Sequence, residues 1–175
     1  MKKYILLSFL LFAGMGAFAQ KFAYVDTEYI LGQIPEYKAG IKQLDATSQQ
    51  MQKQVEARFA QIDDLYKAYQ AEQVLLTDEM RKRRENDIIE KEKDAKDFQR
   101  QKFGPEGELF QQRTKLLKPI QDKVSQTITE FAKSKGIDFV FDKGSEAMMF
   151  IYANANYDLS KDIVIRLGYK PANNK

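Results

Sequence analysis

The chain has 175 residues, 43% of them hydrophobic, with 28 Lys and Arg against 25 Asp and Glu and neither Cys nor His. That length suits one domain with an extension. The missing Cys and His exclude the usual zinc sites, a Ser-His-Asp or Cys-His nucleophile pair, a redox Cys-x-x-Cys and any disulfide. No G-x-x-x-x-G-K-[ST] or G-x-G-x-x-G occurs, so neither a nucleotide nor any other cofactor is expected, and the chain does not read as an enzyme.

Met1-Lys2-Lys3 is a short basic start, Tyr4 to Phe12 an apolar run, and Ala17-Phe18-Ala19 a small-x-small cleavage site. An apolar stretch this short, with no stop-transfer flank, reads as a secretory signal peptide over residues 1–19, cut after Ala19. Lys2 and Lys3 leave with it, so the exported chain carries 26 basic and 25 acidic residues. Near-zero net charge lacks the electrostatic footprint of a nucleic-acid binder, and none is expected as a partner.

Phe22-Ala23-Tyr24-Val25 is a β-prone run, and Asp26 or Thr27 can cap a short helix carrying Tyr29, Ile30 and Leu31 that stops before Pro35. From 36 to 135 the chain changes character, with 20 basic and 18 acidic residues. Tyr37, Ile41, Leu44, Ser48, Met51 and Val55 alternate steps of four and three, the spacing of a coiled-coil seam. Phe59 follows four on, a stutter that locally unwinds a supercoil, before Ile62, Tyr66 and Tyr69 resume the pattern. The second half is poorer, with Met80, Ile88, Ala95 and Phe98, and recovers past Leu109 with Leu116, Ile120, Val124, Ile128 and Phe131.

Lys133, Lys135 and Gly136 form a helix C-terminal signal, after which Ile137, Phe139 and Phe141 alternate as a strand. Lys143-Gly144-Ser145 turns the chain, and Met148 to Ala153 reads as a second strand, giving a hairpin-like pair. Ser160 can cap a last helix with Ile163, Val164 and Leu167 inward, ended by Gly168.

A lone strand at 22–25 needs a partner, and the candidates begin at Ile137. The helical stretch must therefore fold back on itself. Its tip falls near 75–79, where Thr77 is an N-cap type and Asp78 and Glu79 suit a helix start. Centred on Thr77, residue i faces 154−i, which sets Pro35 against Pro119, and each arm of about 40 residues runs roughly 60 Å. Gly104-Pro105-Glu106-Gly107 should interrupt the returning arm, as a hinge or as a static kink.

The predicted fold is therefore α+β: a small sheet body from residues 20–35 and 136–175, and a long antiparallel helical hairpin over 36–135 whose last part, 120–135, packs on the body. The body has only 56 residues, a size that normally needs disulfides, metal or oligomerisation. Only the last is open, through shared strand edges, so Phe22, Tyr24, Ile137, Phe139, Phe141, Met149 and Ile151 are the expected self-association residues.

Four segments carry a resemblance: Phe22 to Ile30, Lys118 to Val124, Gly136 to Asp142 and Tyr157 to Val164. In their order and content the whole exported chain resembles the Skp/OmpH family of periplasmic chaperones. The resemblance implies a homotrimer with a barrel-like body and three helical arms around a cavity. It also implies that unfolded outer-membrane proteins are held there, without ATP, before membrane assembly. Well-studied members are markedly basic, whereas this exported chain is near neutral.

On that reading Met51, Val55, Phe59, Ile62, Tyr66 and Tyr69, with Leu75, Leu76 and Met80 at the tip, are candidate client contacts, since aromatic and Met side chains adapt to many partners. The plainer account makes them the seam between the two helices. Gly104, Pro105 and Gly107 would form the hinge. Arg81-Lys82-Arg83-Arg84 is either a solvated helical face or a transient contact for a membrane surface or acidic clients. The rival function is a structural or adaptor coiled coil of the cell envelope.

Overall fold

In the computed structural model, described over residues 20–145 and 150–172, the chain is mostly helical, with a long helical hairpin and a small parallel sheet made from its two ends. Strand β1 (Phe22–Val25) is followed by α1 (Thr27–Gly32), α2 (Pro35–Glu72), α3 (Asp78–Phe103) and α4 (Glu108–Lys135). Strand β2 (Phe139–Asp142), a 3-10 turn (Ala155–Tyr157) and α5 (Ser160–Arg166) complete it. The chain divides into two units, residues 31–124 and the ends around them.

In the end unit, β1 and β2 pair in parallel, Phe22 beside Phe139 and Tyr24 beside Phe141. Because side chains alternate along a strand, Phe22, Tyr24, Phe139 and Phe141 share one face. Phe22 stacks on Phe139 with centroids 5.5 Å apart and on Phe141 at 6.2 Å. The other edge of β1 is engaged by a bridge from Tyr24 to Asp158, where the Leu159 amide donates to the Tyr24 carbonyl at 2.9 Å. The core beneath is Ala23, Val25, Ile30, Ile163 and Val164, all buried.

Two sequence expectations for this unit change. Met148 and Met149 lie outside the described residues, and Phe150 to Ala153 is not a strand, so the hairpin-like pair is replaced by the parallel β1–β2 pair. Ser160 does not cap α5: Leu159 holds the cap position and the Asp158 carboxylate accepts the Ser160 amide at 2.9 Å. The Ser160 hydroxyl instead accepts the Asp26 amide at 2.8 Å, which joins α5 to the start of α1. Helix ends elsewhere follow local chemistry. Asp26 accepts the Tyr29 amide, and Gly136 and Gly168 end α4 and α5 with φ of 62° and 92°, the left-handed conformation glycine adopts without penalty.

In the hairpin unit, Pro35 opens α2 at a position that needs no amide hydrogen, after an extended Ile34. At 38 residues α2 is about 57 Å long. It ends at Glu72, and Thr77 caps α3 by accepting the Met80 amide at 3.3 Å. The buried seam is Gly40, Leu44, Met51, Val55 and Ile62 on α2, Ile88 and Ala95 on α3, and Leu117 and Val124 on α4.

The seam corrects the sequence reading at the root. Leu117, not Leu116, is fully inside, and it packs where Gly40 leaves room: a Cβ on Gly40 would stand 3.0 Å from Leu117 Cδ2. The relation 154−i would set Gly40 opposite Thr114, three residues short of its actual partner. The helix is interrupted between Phe103 and Glu108, so one fixed relation need not hold along the whole returning arm.

Candidate functional site

Two surfaces carry the residues singled out above, and each is described within its own unit. The first is the hairpin. Met51, Val55 and Ile62 are buried in the seam of the hairpin. Phe59 and Tyr69 are half-buried against the cluster of Ile62, Ile88 and Ala95. The exposed apolar groups lie elsewhere. Leu75 is 86% exposed at the tip with Leu76 half-buried beside it, Tyr66 is 48% exposed, and Met80 is half-exposed. Sequence reading missed Val74, Ile89 and Phe110, which are equally open, because they fall off the seam's spacing.

Helical geometry groups two of these. On α2, Tyr66 lies one turn beyond the buried Ile62; on α3, Ile89 adjoins the buried Ile88. At 100° per residue in antiparallel helices, both turn to the same side of the hairpin. Arg58, Phe98 and Lys102 turn to the other side, where the Arg58 guanidinium stands 3.9 Å from the Phe98 ring centroid.

The basic run at the tip is self-neutralised. Arg83 pairs with Glu79 at 2.8 Å, Arg84 with Glu72 at 3.3 Å, and Arg81 with Asp78 at 3.4 Å while donating to the Leu76 carbonyl. Glu85 accepts the Tyr69 hydroxyl at 2.5 Å, which pushes that phenol above its usual range. Over 72–87 five carboxylates oppose four cations, so the tip has no net positive field with which to draw an anionic surface. The acidic pair 63–64 is likewise ordinary helix-surface chemistry: Asp63 pairs with Lys67 and raises its pKa.

The second surface is the aromatic face of the sheet. A groove of about 950 Å³ is lined by Phe22, Tyr24, Phe131, Phe141, Phe150 and Tyr157, among others. Phe150 packs on Tyr24 at 6.1 Å and edge-on to Phe141 at 6.3 Å. Tyr24 is buried, which pushes its phenol above the usual range, with the Asp158 carboxylate and Tyr152 adding to the shift. Phe22 and Phe139 are half-exposed, Ile137 and Phe141 intermediate, and Ile151 is 98% exposed, off the sheet. Met149 lies outside the described residues.

Among the described residues no group of three or more His, Cys, Asp or Glu is placed to hold a metal, and no helix is long and apolar enough to cross a membrane. The site's resources are apolar side chains on a charged rod and an aromatic face.

The comparisons with known proteins agree with this architecture. Residues 21–167 match the family model described as outer membrane protein (OmpH-like). A "putative outer membrane chaperone (OmpH-like)" from Caulobacter crescentus CB15, solved at 2.83 Å, shares the fold with a TM-score of 0.61. The match covers 87% of this chain and 86% of that one at 19% identity. No curated protein matches.

Proposed function

The chain belongs to the OmpH-like outer membrane protein family, and from that premise we propose that it is an ATP-independent holdase chaperone of the periplasm. It binds unfolded outer-membrane proteins and keeps them from aggregating before membrane assembly. The observation that carries this reading is the set of open apolar side chains, Tyr66, Val74, Leu75, Met80, Ile89 and Phe110, on a hairpin whose tip residues Arg81, Arg83 and Arg84 each pair with a carboxylate.

An unfolded β-barrel chain offers alternating apolar residues and unpaired backbone, and aggregates unless these are covered. A holder that uses no ATP must also let go. Scattered single side chains achieve both, since each contact is weak and several arms around one client raise its effective concentration. Tyrosine, leucine and methionine serve this well, offering large surfaces that accept many shapes. The self-neutralised tip leaves client capture to apolar contact.

Several arms require several copies. We propose a homotrimer in which the half-exposed Phe22 and Phe139 and the aromatic groove are covered by sister chains, as the family resemblance implies. Export follows from residues 1–19 acting as a signal peptide cut after Ala19. No cofactor or catalytic step enters this account.

The test is turbidity. An outer-membrane barrel protein diluted from urea, without nucleotide, should stay clear when the exported chain is present at one trimer per client. Undiminished aggregation would overturn the holdase reading and favour the adaptor coiled coil.

A further inference from the structure

The interruption of the returning arm is made by contacts that the seam does not need. The Gly104 amide donates to the Arg100 carbonyl at 2.7 Å, the Gly107 amide to the Gly104 carbonyl at 2.9 Å, and the Gln111 amide to the Gly107 carbonyl at 3.0 Å. The Gln111 side-chain amide reaches back to the Glu106 carbonyl at 3.0 Å. The first of these is the last bond of α3 and the third the first of α4, while the Gly107–Gly104 bond and the Gln111 side chain occupy backbone groups that the two helix ends leave unpaired.

Both glycines are required by close approach. A Cβ on Gly104 would lie 2.4 Å from the Arg100 carbonyl oxygen, and one on Gly107 would lie 2.8 Å from the Gly104 nitrogen and 2.9 Å from the Gln101 oxygen. The obstacles are backbone atoms, which cannot swing aside as a side chain would. A loose linker would show neither constraint.

Side chains then tie the bend to its surroundings. Lys102, the second-last residue of α3, forms an ion pair with Glu108, the first of α4. Its ammonium also lies 5.2 Å from the Phe98 ring centroid, the same ring that Arg58 of α2 covers at 3.9 Å. The Lys102 side chain is only 20% exposed. Such shelter distinguishes its contacts from open surface pairs, which count for little.

We propose that Arg58, Phe98, Lys102 and Glu108 form a clasp that holds the bend at 104–107 in one geometry, and that releasing Lys102 from Glu108 turns the bend into a hinge. The chain runs from α2 through the Phe98 ring to Lys102 and across the break to Glu108, so Lys102 links its two halves. The clasp belongs to the hairpin alone and is independent of client holding.

The experiment uses the full exported chain and two readouts. Hydrogen exchange follows the amides of Gly104, Gly107 and Gln111, while spin labels at Asp94 and Arg113, diluted into unlabelled chain, report the distance across the bend. The parent chain should protect these amides and give one narrow distance. Lys102→Met, which keeps the apolar stem on Phe98, and Glu108→Gln should each speed exchange there at least tenfold and broaden the distance. The double swap Lys102→Glu with Glu108→Lys should restore both. If Gly107 already exchanges at the open-chain rate in the parent, or if both single variants leave exchange and distance unchanged, the clasp is refuted.

Discussion

Asp142, the last residue of β2, caps the helix that follows β1: its carboxylate accepts the Thr27 amide at 3.1 Å and the Thr27 hydroxyl at 2.6 Å. It also accepts the Gly144 amide at 2.9 Å, so one side chain closes a helix start and a turn from opposite ends of the sequence. The first amides of a helix have no partner within it, which is why a distant carboxylate matters here. Asp142→Ala should lower unfolding free energy by about 2 kcal/mol. Denaturant unfolding checks this, with Asp138→Ala as comparison. Asp138 accepts the exposed Lys21 amide, and its loss should cost clearly less.

The hairpin's root depends on the absence of a side chain at Gly40. A methyl group there gains up to about 1 kcal/mol in helix propensity, but meets Leu117 Cδ2 at 3.0 Å. These effects nearly cancel, so Gly40→Ala should leave thermal stability close to the parent. Gly40→Val adds bulk that cannot be absorbed and should cost about 1–3 kcal/mol.

Burial separates the hairpin's two kinds of apolar residue in a measurable way. Met51→Ala or Ile62→Ala removes packed seam atoms and should cost about 2–4 kcal/mol. Leu75→Ser and Ile89→Ser, at open positions, should stay within about 0.5 kcal/mol of the parent. Combined with Tyr66→Ser, these two should weaken aggregation suppression severalfold while leaving the melting curve in place. Turbidity and thermal scans on the same samples read both effects.

Stability should fall on the alkaline side through Tyr24. Burial and Asp158 raise its folded pKa above the ordinary phenol value of about 10. The unfolded chain therefore gives up this proton first, and the contribution is complete below pH 10 and lost as pH rises through the folded pKa. Tyr24→Phe should flatten that decline, as followed by denaturant unfolding from pH 9 upward.

How much could be read from the sequence depended on how local the signal was. Thr77, Gly136 and Gly168 mark helix ends within a few residues of themselves, and each is found at such an end. The buried spacing Leu44, Met51, Val55, Ile62 is legible because it repeats along one helix. Leu116 and Leu117 are chemically alike, so the choice rests on Gly40, a partner more than 70 residues away with no side chain to advertise it. Phe150 looked like a strand residue from its apolar neighbours, yet it serves as a cover for Tyr24 and Phe141. The break at 104–107 was visible as Gly-Pro-Glu-Gly, but the clasp of Arg58 and Phe98 over Lys102 requires the two helices to be side by side.

The most direct test of the holdase reading is delivery. An unfolded outer-membrane barrel protein, held by the exported chain in buffer without nucleotide, is mixed with lipid vesicles after an hour, and its folding is read by the heat-modifiable gel shift of a barrel. The account predicts that the held protein stays soluble for that hour and then folds to nearly the yield of a sample diluted straight from urea into vesicles. A client lost to precipitate before the vesicles arrive, or one kept soluble that never folds, would contradict it.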